Sequence, residues 1–193
     1  MPNRSSGFKS SGFKPSDSLA AAAAIEADVQ VLACGLTEAQ FHAPSRTGGW
    51  SVGFCLEHLI LTGQAFLTHW DAALRKGVAG CQGCDHRAVY TWYERAFLRS
   101  MEPPYKIRTK TSHFATPSSH RPVEDTIRRF FAMHRQLTHR IELTGATNPA
   151  RTKVQSPFAS WLWYPLGFSF DLALAHERRH LWQAWQVRRE YVE

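Results

Sequence analysis

The hydrophobic and polar positions of the chain follow a helical period through four long segments. Apolar residues recur there at every third or fourth position, which is typical of a helix with a buried face. The segments are 17–34, 52–74, 123–143 and 168–191. Gly35 follows the first segment and Ser51 precedes the second, as residues that end and cap helices do. With no convincing strand pattern, the chain is predicted to be all-α, a four-helix bundle with long crossover loops.

The predicted helices differ in which of their faces is apolar. The inward stripe of the second helix is predicted to contain Phe54, His58, Leu61, Ala65 and Ala72. The core candidates on the third helix are Ile127, Phe130, Phe131, Leu137 and Ile141. On the fourth helix one face carries Leu172, Ala173, His176, His180 and Val187, and the nearly opposite face carries Leu174, Leu181 and Trp185. Two apolar faces indicate burial in two directions, so this helix is expected to lie centrally or to meet a second copy in a homodimer.

The first sixteen residues differ in composition from the rest of the chain. A Ser-Ser-Gly-Phe-Lys sequence occurs twice in succession, at 5–9 and 10–14, and such a segment has little apolar surface to bury. We therefore predict a flexible tail over 1–16 and one domain over 17–193. The long connection 78–122 is predicted to contain a short helix at 90–98, since a connection of this length crosses a bundle or covers a site.

Two histidines lie four residues apart in the sequence His176-Glu177-Arg178-Arg179-His180. This spacing puts both imidazoles on one helix face, where they can bind one cation. The same residues match the HExxH pattern of zinc peptidases, in which the glutamate is a general base. That interpretation needs a third ligand, and no histidine or cysteine follows His180. The zinc peptidase is therefore an alternative to a site whose third ligand lies upstream.

The segment that ends at His58 resembles the one that ends at His176. Ser, Leu and His recur at matching offsets in 51–58 and 169–176, and a serine N-cap before each helix would put each histidine about two turns in. This pseudo-repeat predicts one site made of His58, His176 and His180, with Thr62 as a hydroxyl behind the ligands. Three imidazoles leave a position open for water or substrate, as in catalytic zinc sites. The alternative is that they are ordinary polar residues on half-buried helices.

The sequence resembles the DinB/YfiT-like superfamily in two motifs. One is Gly49-Trp50-Ser51-Val52 leading into Leu56-Glu57-His58-Leu59, and the other is His176-x-x-Arg179-His180-Leu181-Trp182-Gln183. The resemblance implies a four-helix bundle from about residue 17 onward and a divalent metal ion bound by His58, His176 and His180. It also implies a small-molecule substrate and a metal-dependent hydrolase or a transferase acting on low-molecular-weight thiols. Zinc or nickel is the expected metal, and such imidazole sites also suit iron or manganese.

Two other residues of the HExxH segment are catalytic candidates. Glu177 lies about 100° around the helix from His176, so it is either a general base or a solvated or ion-paired residue off the ligand face. Arg179 lies about 60° from His176 and is either a surface cation or the group that binds an anionic part of the substrate at the rim of the metal site.

Aromatic residues gather in the connections between the predicted helices. They are Tyr90, Trp92 and Tyr93 before the third helix and 161–164 before the fourth. They either form the walls of an apolar pocket or cap the hydrophobic core.

The charge of the chain adds a different class of hypothesis. The formal net charge is +7 and the pI is about 9.5, which suits a non-enzymatic basic module that binds nucleic acid or an acidic partner. The cations of interest are Arg128, Arg129, Arg135 and Arg140 in the third helix and Lys106, Arg108 and Lys110 before it. Because the chain matches no recognised nucleic-acid fold and helix cations usually form a solvated face, the enzyme is favoured over this module.

Targeting patterns in the sequence bear on the expected cellular location of the protein. No apolar run is long enough to span a bilayer and none forms a secretory signal, so we expect a cytoplasmic protein without a membrane partner.

Cys81 and Cys84 form a CxxC pair, but a structural zinc site usually needs a second matching pair. With four cysteines in the chain and no secretion signal, a disulfide framework is not expected.

Overall fold

Helices make up most of the structure. The computed structural model describes residues 11–77, 87–104, 111 and 113–192. Its α-helices are α1 (Pro15–Ala33), α2 (Glu38–His42), α3 (Val52–Gly77), α4 (Trp92–Met101), α5 (Val123–Glu142) and α6 (Leu166–Val192), with 3₁₀ turns at His113–Ala115 and Leu143–Ala146. The predicted four-helix bundle is confirmed, with α1, α3, α5 and α6 as its long helices. The short helix predicted in the long connection is α4.

The order of the long helices in the bundle differs from their order in the chain. α3 packs against α5 and α6, and α1 packs against the same two helices. α1 and α3 are therefore diagonal to each other, as are α5 and α6. The connections from α1 to α3 and from α5 to α6 must cross the bundle, which explains why they are longer than the short loops of an up-and-down bundle.

Two small antiparallel ribbons accompany the helices, although the sequence has no convincing strand pattern. β1 (Gly12–Phe13) pairs with β2 (Ala88–Val89), and β3 (Lys153–Gln155) pairs with β4 (Trp163–Pro165). Strands of two or three residues are too short to show the alternation by which a strand is recognised in a sequence. β4 leads directly into α6.

The segment before α1 packs against α6. Phe13 is fully buried, and its ring centroid lies 6.0 Å from that of Phe170. It also covers Gly167, where an added Cβ would come within 2.6 Å of the phenyl ring. The structure thus differs from the predicted tail over 1–16 at residues 12–16, because this phenyl ring finds an apolar site on α6. Residues 1–10, like Cys81 and Cys84, lie outside the described residues.

α3 is buried around most of its circumference, and the stripe predicted for it is wrong except at His58. The four other predicted positions are only half-buried: Phe54, Leu61, Ala65 and Ala72. The fully buried positions include Cys55, Leu56, Leu59, Ile60 and Trp70. Because α3 packs against α5 on one side and α6 on another, it has no single apolar face that a periodic pattern can reveal.

The core predicted for α5 is confirmed in part. Phe130, Leu137 and Ile141 are fully buried. Ile127 and Phe131 are half-buried and pack against the edge of the core.

α6 has the central position that its two apolar faces indicated. It contacts α1, α3 and α4, and Leu174 and Leu181 on its second face are buried within the chain. That face therefore needs no second copy to cover it, and a homodimer stays a prediction. No helix in the described ranges combines the length and the apolar character needed to cross a bilayer.

The two serines of the pseudo-repeat have different roles. Ser51 Oγ accepts a hydrogen bond from the Phe54 N–H at 3.1 Å, as a helix N-cap does. Ser169 lies inside α6, donates to the Leu166 carbonyl and accepts from Trp70 Nε1. The predicted cap at Ser169 is wrong because α6 begins three residues earlier, directly after β4.

Candidate metal centre

Three histidine side chains from two neighbouring helices meet at one point. His58 is on α3, and His176 and His180 are one turn apart on α6. One ring nitrogen of each lies within 4.8 Å of the other two, and His58 Nε2 is 3.3 Å from His176 Nε2. Among the described residues, no other group of three His, Cys, Asp or Glu side chains has this spacing. The structure thus brings together all three predicted ligands, which form the histidine cluster.

A backbone carbonyl holds the His58 ring in place. The Nδ1–H of His58 donates to the carbonyl oxygen of Ala115 at 2.7 Å, which leaves Nε2 facing His176. Metal-ligating histidines commonly donate their second ring N–H in this way, which fixes the tautomer and the ring orientation. Sequence analysis missed Ala115, and no sequence signal marks it, because every residue carries a carbonyl group.

Thr62 lies one turn beyond His58, with its hydroxyl turned towards its own helix. Its Oγ1 donates to the carbonyl oxygens of His58 and Leu59, at 3.0 and 3.1 Å. The hydroxyl therefore bonds to the α3 backbone and makes no hydrogen bond to an imidazole ring. The Ala115 carbonyl, rather than the Thr62 hydroxyl, supports a ring of the cluster.

Trp50 covers the histidine cluster on one side. Its ring centroid lies 4.9 Å from that of His58 and 5.9 Å from that of His180, and it is nearly parallel to the His180 ring. His180 Nδ1 is buried and has no hydrogen-bond partner among the described residues. A buried polar nitrogen without a partner is costly. Its presence within a group of imidazoles fits a site that a bound ligand completes.

Burial favours the neutral form of all three imidazoles. It lowers the pKa of His58, although the hydrogen bond to Ala115 opposes this. Burial, together with the charges of His58 and Arg179, lowers the pKa of His180 to about 3. The pKa of His176 is also well below its usual value, mainly through burial. Because metal ions bind unprotonated imidazoles, the cluster has the protonation state of a metal site near neutral pH.

The spacing of the cluster fits a divalent metal ion. Two nitrogens that each lie about 2.0–2.1 Å from a zinc ion are about 3.3–3.4 Å apart at a tetrahedral angle. His58 Nε2 and His176 Nε2 have this separation. The residues present therefore suit the metal that the sequence predicted, with one or more positions left for water or substrate.

Glu177 faces the interior of the bundle on the side of α5. Its Oε2 accepts a hydrogen bond from His134 Nε2 at 3.1 Å, and His134 Nδ1 lies 3.0 Å from Glu26 Oε1. Burial alone would lower the pKa of His134, but the two carboxylates outweigh it and raise the pKa to about 9. The three side chains thus form an ionic triad, in which His134 and Glu177 are buried and Glu26 is half-buried. Of the two interpretations of Glu177, its environment agrees with an ion-paired residue rather than a general base. Glu177 is not among the residues that line the cavity.

Sequence analysis missed His134, although a signal for it exists. His134 follows Phe130 by four residues and precedes Leu137 by three, so it lies on the core face of α5. A histidine on such a face needs hydrogen-bond partners from other helices. The sequence alone does not show that Glu26 and Glu177 supply them.

Arg179 lies in the wall of a cavity beside the cluster. Arg179 is only 7% exposed, and its guanidinium donates a hydrogen bond to the Ser100 carbonyl at 3.2 Å. Its charge adds to the effect of burial in lowering the pKa of His176 and of His180. Arg179 is thus a buried cation in the cavity wall, which disagrees with its interpretation as a surface cation, and its role as an anion-binding group stays a prediction.

The cavity has a volume of about 720 Å³, which is in the range of small-molecule sites. The histidine cluster, Trp50 and Arg179 form part of its wall. Of the aromatic segments considered as walls, Leu162 and Tyr164 line the cavity, whereas Tyr90 is buried and Trp92 and Tyr93 are exposed elsewhere. Phe66, Phe97 and Phe158 also line it and were missed.

The fold and the site together define a class of protein: a four-helix bundle with a three-histidine cluster in the wall of a small-molecule cavity. A family model described as the DinB superfamily matches residues 22–184, and the chain belongs to that superfamily. No curated protein matches the chain. A solved structure similar to it is that of YfiT from Bacillus subtilis, a probable metal-dependent hydrolase with an unusual four-helix bundle topology. The two have a TM-score of 0.58 and 15% identity, over 98% of this chain and 92% of YfiT, so the likeness shows the fold.

Proposed function

We propose that the protein is a metal-dependent enzyme acting on a small molecule, with a divalent metal ion bound by His58, His176 and His180. The observation that carries the proposal is the convergence of three imidazoles, one buried and two half-buried, at the wall of a cavity of about 720 Å³. A structural zinc site usually has four protein ligands, whereas this cluster has three and opens to a cavity. Zinc or nickel is the proposed metal, with iron or manganese as substitutes.

The proposed reaction is a hydrolysis or a transfer to a low-molecular-weight thiol. The metal, when bound, supplies a Lewis acid that lowers the pKa of a water or thiol so that it attacks near neutral pH. The Ala115 carbonyl fixes the ring of His58, and the indole of Trp50 shields the cluster. The guanidinium of Arg179 lines the cavity, and its proposed role is to bind an anionic part of the substrate. The fold shared with YfiT, a probable metal-dependent hydrolase, supports this class of activity.

The zinc peptidase alternative gains no support from Glu177. An HExxH peptidase needs this carboxylate at the attacking water, as general base. Here the carboxylate accepts a hydrogen bond from His134 inside the bundle. We therefore assign Glu177 to the ionic triad, and Arg179 is the candidate that faces the substrate.

The basic binding module gains little support from the cations of α5. Arg129 pairs with Glu57 at 2.8 Å, Arg140 pairs with Asp71 at 2.9 Å, and Arg128 pairs with Asp125. Cations bind phosphates by displacing counterions from the nucleic acid, and pairing with carboxylates within the protein competes with that role. Lys106, Arg108 and Lys110 lie outside the described residues.

The metal content of the purified protein tests the proposal. Wild type, His58→Ala and His69→Ala are purified without a histidine tag and analysed by mass spectrometry. Wild type is expected to hold about one metal ion per chain and His58→Ala to lose most of it, because two imidazoles bind more weakly than three. His69→Ala removes a half-buried histidine from the same helix and should keep the metal.

Two outcomes would change the assignment. Metal retained in His58→Ala would remove His58 from the ligands and would revive the peptidase interpretation of His176 and His180. No metal in wild type, even after reconstitution with zinc or nickel, would overturn the proposal. If the metal binds as expected, thiol transfer and hydrolysis are each assayed in wild type and in His58→Ala. The activity that wild type shows should be lost in His58→Ala.

A further inference from the structure

The cavity follows α6 along much of its length. Residues three or four apart on this helix form one wall, namely Leu172, His176, Arg179, His180, Gln183 and Val187, followed by Glu190. Residues at this spacing share one helix face, and the rise from the first to the last of them is about 27 Å. The histidine cluster lies between the two ends, so the cavity extends to both sides of it.

The side towards Leu172 is apolar and rich in aromatic rings. Phe66 lies two turns beyond His58 on α3, about 12 Å along the helix, and its ring centroid is 5.4 Å from that of Phe158. Phe97 reaches the same end of α6 from α4, with its ring 6.4 Å from Phe168. The side chains that share this environment form the apolar arm: Phe66, Phe97, Met101, Phe158, Leu162 and Leu172.

The side towards Glu190 is polar. Gln183 and Gln186 line it from α6, and Ser45 lines it from the loop before α3. Glu190 accepts hydrogen bonds from Ser45 Oγ at 2.9 Å and from the Arg46 N–H at 2.6 Å, which holds that loop against this end of the cavity. An apolar group placed there would cover the Gln183 and Gln186 amides without hydrogen-bonding to them, and this is costly.

We infer that the substrate is an amphipathic small molecule that lies along α6, with a ring-sized apolar group in the apolar arm and its polar groups beside Gln183 and Gln186. The inference rests on the proposed function, because it places the reacting group at the histidine cluster between the two sides. The apolar arm contributes affinity by burying apolar surface of the substrate. The glutamines orient the polar part through hydrogen bonds, which an apolar group cannot accept or donate.

Two hydroxamates that differ in an apolar tail test this inference. Acetohydroxamic acid and 4-phenylbutyrohydroxamic acid are titrated by calorimetry into zinc-loaded wild-type protein, since the hydroxamate oxygens are zinc ligands. The phenyl compound should bind roughly ten- to a hundredfold more tightly, the effect of burying one phenyl ring. Equal affinities, or no measurable binding of either compound, would overturn the inference.

Substitutions in the wall locate the phenyl group. Phe97→Ser and Phe158→Ser should each reduce the advantage of the phenyl compound by roughly threefold or more, with acetohydroxamic acid unaffected. Both residues are partly exposed, at 48% and 41%, so the fold tolerates the change. Trp161→Ser is the matched control, because this ring is 81% exposed and lies outside the cavity wall. A loss of the advantage in the control alone would place the phenyl group elsewhere and overturn the inference.

The zinc content of each sample separates two kinds of failure. A wild-type protein that retains neither zinc nor nickel after reconstitution contradicts the proposed function, and the inference falls with it. A protein that holds about one zinc ion per chain but binds both hydroxamates equally keeps the proposed function and loses only the amphipathic substrate.

Discussion

At the scale of single residues, Glu177 is where motif and structure differ most. The HExxH pattern would make it a general base beside the metal. The structure buries its carboxylate against His134, in a triad completed by Glu26. A motif records the spacing of residues along a helix, but the partner of a side chain depends on which helix packs beside it.

Glu177→Ala is expected to lower the stability of the protein while leaving its metal in place. His134 would lose one of its two carboxylates in the bundle core, and breaking a buried ion pair costs about 3 kcal/mol of the free energy of unfolding. Urea denaturation and metal analysis measure both effects. Glu142→Ala is the control, because its side chain is 61% exposed, and the change should be under about 0.5 kcal/mol. A Glu177→Ala protein of wild-type stability without activity would contradict this and would support the peptidase interpretation.

The three residues of the histidine cluster were predictable from the sequence, but the contacts that hold their side chains in place were not. His176 and His180 share a helix face by spacing alone, and His58 follows from the matched segment and the family motif. The contact of His58 with the Ala115 carbonyl depends on the path of a loop. A threonine hydroxyl at position 62 can bond either to an imidazole ring or to a backbone carbonyl. The residue type alone does not decide between the two partners.

At the scale of elements, the β1–β2 ribbon attaches the segment before α1 to the bundle. Phe13→Ala is expected to lower the free energy of unfolding by about 3 kcal/mol, because it leaves a cavity beside Phe170 and Gly167. Val89→Ala changes the same ribbon at a side chain that is 84% exposed, and it should cost less than about 0.5 kcal/mol. Urea denaturation of the three proteins measures the difference. Equal stability of Phe13→Ala and wild type would show that the segment contributes nothing to the fold.

The end of α1 and the start of α3 were predictable because the signals that set them are local. Gly35 has a φ of 73° just after α1, a conformation that favours glycine and ends the helix. The buried faces of α3 were not predictable in the same way. They depend on contacts with both α5 and α6, and a helix that is buried on several sides has no single stripe.

At the scale of the whole molecule, the ionic triad of Glu26, His134 and Glu177 joins α1, α5 and α6 and makes stability depend on pH. The pKa of His134 is raised from 6.5 to about 9 in the folded protein, so the folded state binds this proton more tightly than the unfolded chain. Its contribution is complete below about pH 6.5 and is lost as the pH rises through about 9. The stability advantage of wild type over His134→Gln should therefore shrink by roughly 1–3 kcal/mol between about pH 6 and pH 9.5.

Urea denaturation at a series of pH values measures this advantage. In a Glu177→Gln background the same comparison should lose much of its pH dependence, because the carboxylate that raises the pKa of His134 most is gone and only Glu26 remains. An advantage that stays constant with pH in the wild-type background would show that His134 is not held as a cation.

The diagonal placement of α1 and α3, and of α5 and α6, lay beyond prediction from the sequence. Periodicity identifies helices and their apolar faces, whereas the order of helices around a bundle depends on how the connections cross it. The cavity arises from that order, since its walls come from α3, α4, α6 and three connections.

The hydrogen bond from His58 to Ala115 has an evolutionary consequence. Because the acceptor is a main-chain oxygen, most substitutions at position 115 would preserve it, provided that the new side chain fits where alanine is 1% exposed. Selection on this contact would act on the length and path of the loop, so insertions and deletions would be removed while amino acids drift. Descendants of such a protein would share the orientation of the histidine without sharing any residue that explains it.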